Sequence, residues 1–299
     1  MTDYGHDLTF GSFLTPAASP PQRAVDLAVV SEQAGLDLVS FQDHPYQPSF
    51  HDTWTLMTYV AARTERIRIS GNVLSLPLRP PAVLARAAAS LDRLSDGRVE
   101  VGLGAGAFWD GIVAMGARRL SPREAARSVE EAIPVMRGLW AVDEPGGLRF
   151  DGTIHEVRGA KRGPAPAHPI PIRVGAYKPR MLGLTGRLAN GWLPSLTYLP
   201  DGLASLTPMS RRIDEGAAAA GRDPAELDRI LNIGGRFTRA SEGLFAGPPG
   251  QWAEQITDVA LVHGISGFVL MSDDPEDLMV FGREVAPLVR EKVAAERGE

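Results

Sequence analysis

The chain of 299 residues contains no cysteine, and that absence removes disulfides, thiolate catalysis, iron–sulfur clusters and cysteine zinc sites together. Any redox chemistry must therefore come from a bound cofactor. Lysine is scarce as well: Lys161, Lys178 and Lys292 stand alone among 31 basic residues, the rest being arginine. The basic residues are scattered and the formal net charge is −5, so there is no electrostatic footprint for nucleic acid or an anionic membrane. No stretch approaches the roughly 18 uninterrupted apolar residues of a membrane span. The opening residues, MTDYGHDLTFGSF, lack the basic start and apolar run of a secretory leader. The expectation is a cytoplasmic protein whose partners are small molecules. Its histidines (His6, His44, His51, His155, His168 and His263) show no ligand spacing such as H-E-x-x-H, so no metal is assigned. Neither a G-x-S-x-G elbow nor a Walker loop is present, and no nucleophile or Schiff-base constellation of a hydrolase or aldolase is visible.

What is present is an ordinary globular composition, 44% hydrophobic and 22% charged, arranged in a repeating rhythm. LTFGSFL, DLVSFQDH, RIRISGNVLSL and RVEVGLGAG read as strands, and the segments between them carry apolar residues at helical spacing. After the fourth strand the next helix is expected from about Ser121, with Ser121 as N-cap, Pro122 in the first turn and Glu124 three residues after the cap. Pro134 inside that helix should kink it or loosen its middle turn. Residues 141–170 break the rhythm with dense glycine and proline, and LRFDGTIHEV reads as a hairpin around Asp151-Gly152. The alternation then resumes through PIRVGAY, NGWLPSL, RILNIGGRF and ISGFVLM, each followed by a helical run. Eight strand–helix units predict a (β/α)8 TIM barrel forming one domain over residues 1–299, with an excursion at about 141–170 between the fourth helix and fifth strand. A six-stranded doubly wound sheet with a small extra domain is the alternative.

In such a barrel the chemistry sits at the C-terminal ends of the strands. Asp43 and His44 end the second strand, a carboxylate and an imidazole able to face the mouth together. Gly71 and Asn72 interrupt the third strand, which points to a bulge or to a close backbone approach. The fourth strand ends in GLGAGAFWD, where Gly102, Gly104 and Ala107 formally satisfy G-x-G-x-x-G/A. That fingerprint has to open directly into a helix, and the expected gap to Ser121 argues against a dinucleotide. Gly175, Ala176, Tyr177 and Lys178 lead straight into a helix, whose exposed N–H groups and dipole suit an anion. Trp109 and Trp192 lie near strand ends where a ring could meet a planar ligand.

Taken together, LDRLSDGRVEVGLGAGAFWDGIVAMG, SVEEAIPVMRGLW, RFDGTIHEV and PIPIRVGAYKPRMLGLTGRLANGWLPSL resemble the bacterial luciferase-like superfamily, (β/α)8 barrels that use FMN or the deazaflavin coenzyme F420. The resemblance runs from about residue 8 to the last helix. It implies Gly104, Ala105 and Gly106 against the cofactor ring, and Gly175, Ala176, Tyr177 and Lys178 at its phosphate. It also implies a non-proline cis peptide at Asn72-Val73 and an Asp43–His44 pair near the reacting centre. That pair favours the deazaflavin branch: hydride transfer at F420 to or from a small organic substrate, with His44 hydrogen-bonding or shuttling a proton. Asp43 would orient His44 or touch the ring edge. An FMN-dependent monooxygenase is the alternative, and a flavin-binding protein without turnover the second alternative. The sugar-phosphate dehydrogenases of this branch carry a glutamate proton donor where Ala107 stands, which argues against glucose 6-phosphate as substrate. A homodimer is implied by the resemblance alone.

Overall fold

The computed structural model describes residues 3–298; residues 1, 2 and 299, which the domain expectation includes, lie outside the described residues. Eight parallel strands close into a barrel. In chain order they are Thr9–Leu14, Leu38–Phe41, Arg68–Ser75, Val99–Gly104, Ile172–Val174, Gly191–Trp192, Asp228–Ile233 and Gly267–Met271. Each pairs with its neighbours in sequence, and the first pairs with the eighth through Thr9–Gly267 and Phe13–Met271. The doubly wound alternative is thereby excluded.

Strand interiors are apolar and β-branched, and the helices that return the chain present one apolar stripe to the sheet, so the larger core lies between strands and helices. Inside the barrel a smaller cluster of Leu38, Leu193, Ile230 and Val269 packs with Phe13 and Val73. The third helix, Pro81–Leu94, buries Leu84, Ala85, Ala88 and Leu91 at the spacing expected of one face. The long helix Pro122–Trp140 begins with the anticipated capping box, Ser121 with Glu124. It runs without interruption through Pro134.

Three polar devices hold the barrel where apolar contact cannot. At the end where the strands begin, Arg68 and Arg173 both pair with Glu100, and Arg173 continues to Asp228 with hydrogen bonds of 2.6 to 3.0 Å. Burial opposes the charge on Glu100, yet the two guanidinium groups hold its carboxyl below the usual range. Midway up, Asn72 and Asn232 exchange hydrogen bonds of 2.7 and 3.1 Å across the barrel, and Ser40 and Ser195 extend the belt. Ser40 in turn donates to the carbonyl of Ser12.

The third device fastens the excursion. Its hairpin pairs Leu148–Asp151 with Glu156–Ala160. Buried Glu131 accepts the backbone N–H groups of Thr153, Ile154 and His155 at the turn. Buried Asp92 accepts those of Ala167 and His168. Because it joins a helix end to a strand start, the excursion lies at the N-terminal end of the barrel.

One element departs from expectation. A six-residue helix, Trp109–Ala114, follows the glycine run at once rather than leaving a loop to Ser121. Ile112 is its buried anchor, and Gly111 lies where an added Cβ would come within 2.7 Å of the Tyr46 ring. The segment is too short to show a helical period, so its helicity comes from this packing. A helix does therefore follow the fingerprint glycines, and it is the closed barrel that excludes the dinucleotide fold.

Candidate active site

The second and third strands end side by side, and one carboxylate ties them together. Asp43, fully buried, accepts the Ser75 N–H at 2.9 Å and receives Arg79 through Nε at 2.6 Å and Nη2 at 2.7 Å. Arg79 also reaches Asp52, the N-cap of the helix Thr53–Ala61. Both Asp43 oxygens are thus engaged by the guanidinium fork, one of them shared with a backbone amide. The hydrogen bonds of Asp43 go to Ser75 and Arg79, and Asp43 acts on its neighbour His44 through charge.

His44 is half-buried, stacked on Tyr46 with centroids 5.4 Å apart and met edge-on by Phe108 at 5.1 Å. Burial pushes its pKa below the ordinary histidine value, with the nearby Asp43 charge working the other way. The imidazole is therefore neutral at neutral pH, with one nitrogen able to accept a proton and the other carrying one.

The peptide bond Asn72–Val73 is cis, and the pairing register with the fourth strand shifts between Gly71 and Leu74. Asn72 spends its side chain on Asn232 within the barrel. The Val73 side chain sits between two strand ends: a Cβ on Gly104 would lie 2.5 Å from its Cγ2, and one on Gly175 3.3 Å from its Cγ1. Gly102 makes room for the Gly71 carbonyl, which an added Cβ would approach to 2.3 Å. Gly106 adopts φ +94° and faces Pro77 and Trp109. The positions that side chains on these glycines would take are therefore filled by the third-strand bulge and the short helix. Ala105 lies partly buried among these groups.

The fifth strand delivers Gly175 to Lys178 as expected. Ala176 is buried, its carbonyl accepting Trp192 Nε1 at 2.8 Å. Trp192 is fully buried in the core, which removes it from ligand contact. The Tyr177 hydroxyl accepts the Ser195 N–H at 2.8 Å, and Tyr198 meets its ring edge-on at 5.8 Å. Lys178, exposed, is the N-cap of the helix Pro179–Leu188, whose first amides receive no side-chain cap. Among the described residues no cluster of histidine, aspartate or glutamate could hold a metal ion, and no helix is long and apolar enough to cross a membrane.

Sequence reasoning overlooked three participants: Arg79, Tyr46 and Ser75. Ser75 Oγ is the most informative, a buried hydroxyl with no partner among the described residues, next to Gly104 in the pairing register. A buried hydroxyl left without a partner costs about 1–3 kcal/mol, so the atom is suited to a bound polar group. Together with the uncapped helix start, it passes a simple test of fit for a phosphorylated, polar-edged cofactor. Spacing could not have revealed it, because serine at a strand end is unremarkable until its surroundings are known.

Known proteins resemble this chain in sequence and in fold. A sequence profile described as luciferase-like monooxygenase matches residues 6–234. An F420-dependent glucose-6-phosphate dehydrogenase of Nocardia farcinica is 32% identical over 237 residues, 76% of this chain and 68% of that protein. Among solved structures, an F420-dependent secondary alcohol dehydrogenase in complex with an F420-acetone adduct superposes with a TM-score of 0.82 at 20% identity, covering 95% of this chain and 99% of the other. The coenzyme F420-dependent tetrahydromethanopterin reductase of Methanopyrus kandleri gives 0.77 at 19% identity, covering 94% and 99%.

Proposed function

The chain belongs to the luciferase-like monooxygenase family, and on that premise we propose that it is an oxidoreductase that moves hydride between coenzyme F420 and a small organic substrate at the mouth of the barrel. The coenzyme supplies the hydride chemistry, and the protein supplies position, polarity and a proton route. The observation that carries the reading is the union, through Asp43, of a neutral half-buried imidazole and an unpaired buried hydroxyl at two neighbouring strand ends.

Each residue then has a task. Gly175, Ala176, Tyr177 and Lys178, with the amides opening the helix Pro179–Leu188, hold the phosphate. Ser75 Oγ and the backbone from Gly104 through Ala105 to Gly106 meet the polar edge of the ring, and Val73 at the cis peptide with Asn72 supports its face. His44 takes a proton from the substrate, or returns one to it, through a ring nitrogen. Asp43 positions that histidine indirectly, by fixing the strand end with Arg79. Ala107 offers no proton, and the relatives' sugar phosphate is accordingly not proposed as the substrate. A homodimer is part of the same proposal.

The test is titration of the purified protein with F420, followed by quenching of the coenzyme's fluorescence. Saturable binding is expected; a tightly held flavin with no response to F420 would overturn the cofactor assignment. His44→Ala should keep coenzyme affinity and lose turnover by about 10²–10⁴-fold, the usual weight of general acid–base catalysis. Unchanged turnover would return His44 to a packing role.

A further inference from the structure

Large apolar side chains are exposed on the loops at the C-terminal end of the barrel in a way the mechanism above does not use. Phe108 is 54% exposed, Met115 53% and Val113 40%, all on the segment after the fourth strand, and Tyr198 after the sixth strand is 66% exposed. Phe108 is also the residue whose ring meets His44 edge-on, with Tyr46 at 6.4 Å, so this apolar surface reaches the imidazole itself.

Several of the charges around it are already matched. Arg79 is held by Asp43 and Asp52, Arg118 by Glu124, Arg119 by Asp110 and Arg236 by Glu242. Residues 193–205, the loop after the sixth strand, contain no lysine or arginine, and the loop after the eighth carries Asp273 and Asp274. Of the cations in these loops, Lys178 and Arg239 have no carboxylate partner among the described residues, nor have Arg23, Arg123 and Arg180 in the first turns of the helices that follow; Lys178 and Arg180 stand at the helix start assigned to the cofactor phosphate. A phosphorylated or carboxylated substrate seated on Phe108 and Tyr46 would meet apolar rings there and would lose hydration.

We propose that the substrate is an uncharged, apolar small molecule seated against Phe108 and Tyr46 beside His44, with Phe108 as the specificity-determining residue. The proposal rests on the functional reading above and names its substrate class. At His44 two rings meet the imidazole at stacking and edge distances, and that surface suits a small apolar body with one polar atom directed at the imidazole.

The experiment uses the full chain, with and without F420. Binding of the uncharged dye Nile red to coenzyme-free protein is followed by fluorescence, and cyclohexanol and glucose 6-phosphate are tested as competitors; the same two compounds are then titrated calorimetrically into the F420-loaded protein. Cyclohexanol should displace the dye and bind the loaded protein, and glucose 6-phosphate should do neither. Phe108→Ala, at an exposed position that leaves the core intact, should weaken cyclohexanol binding by about tenfold, corresponding to partial loss of one aromatic contact, with F420 affinity unchanged. Phe108→Tyr should restore it. Three results would overturn the proposal: glucose 6-phosphate binding as well as cyclohexanol, no effect of Phe108→Ala, or dissociation of a dimer by Phe108→Arg in sedimentation, which would make the rim an interface between copies. Failure of F420 to bind while the dye and cyclohexanol still compete would refute the cofactor reading and leave the apolar site standing.

Discussion

At the scale of single residues, the site depends on charges and hydroxyls whose partners lie far away in sequence. Asp43 is the clearest case: adjacent to His44, it invites a reading as the histidine's orienting acid, yet its partner is Arg79, 36 positions on. Removing Arg79 leaves a buried carboxylate with one backbone donor, a situation that costs about 3–5 kcal/mol when one member of a buried pair is lost. Arg79→Ala should therefore lower the urea midpoint strongly, while Asp43→Asn, which removes the charge and keeps the shape, should lower it less. Equal and small effects in urea melts would mean that the pair is solvated. The catalytic candidates His44 and Asp43 were legible because they sit together at a strand end. Ser75 and Arg79 were not, because their meaning comes from what surrounds them.

At the scale of elements, the glycines of the fourth strand show a legible signal whose nearest neighbours only the fold reveals. Spacing alone says that Gly102, Gly104 and Gly106 cannot bear side chains, and the structure agrees. The bodies filling the space are the Gly71 carbonyl, Val73, and Pro77 with Trp109. Gly104→Ala forces a contact of 2.5 Å on Val73 Cγ2 and should cost about 1–3 kcal/mol, as overpacking does. Adding Val73→Ala should recover much of that loss, since the offending methyl group is gone; strictly additive losses in chemical denaturation would show that the two residues do not touch. The eight strands, the long helices, the capping box at Ser121 and the hairpin at Asp151 were all readable, because periodicity and turn chemistry are local. The six residues Trp109–Ala114 were not, since packing on Tyr46 rather than any repeat of their own makes them helical.

At the scale of the whole molecule, buried ionisable groups set the response to acid. His44, His155 and His263 all have pKa values lowered by burial, so the native state binds fewer protons than the unfolded chain below the ordinary histidine value of 6.5. Their contribution to stability is complete above that pH and is lost as the pH falls through it. Glu32, Asp52, Glu100 and Glu131, each held low by hydrogen bonds or cations against the opposing effect of burial, add a second loss beneath their ordinary values. Thermal melts should thus show the melting temperature declining from pH 7 to pH 5 and more steeply below pH 4.5; a flat profile from 7 to 5 would show that the histidines are solvated. The excursion has a different consequence at this scale. Fastened by Glu131 and Asp92 to the end of the barrel opposite the mouth, with residues 142–147 exposed, it is a handle. A label, a surface tether or an inserted domain attached there would leave the mouth facing away from its support.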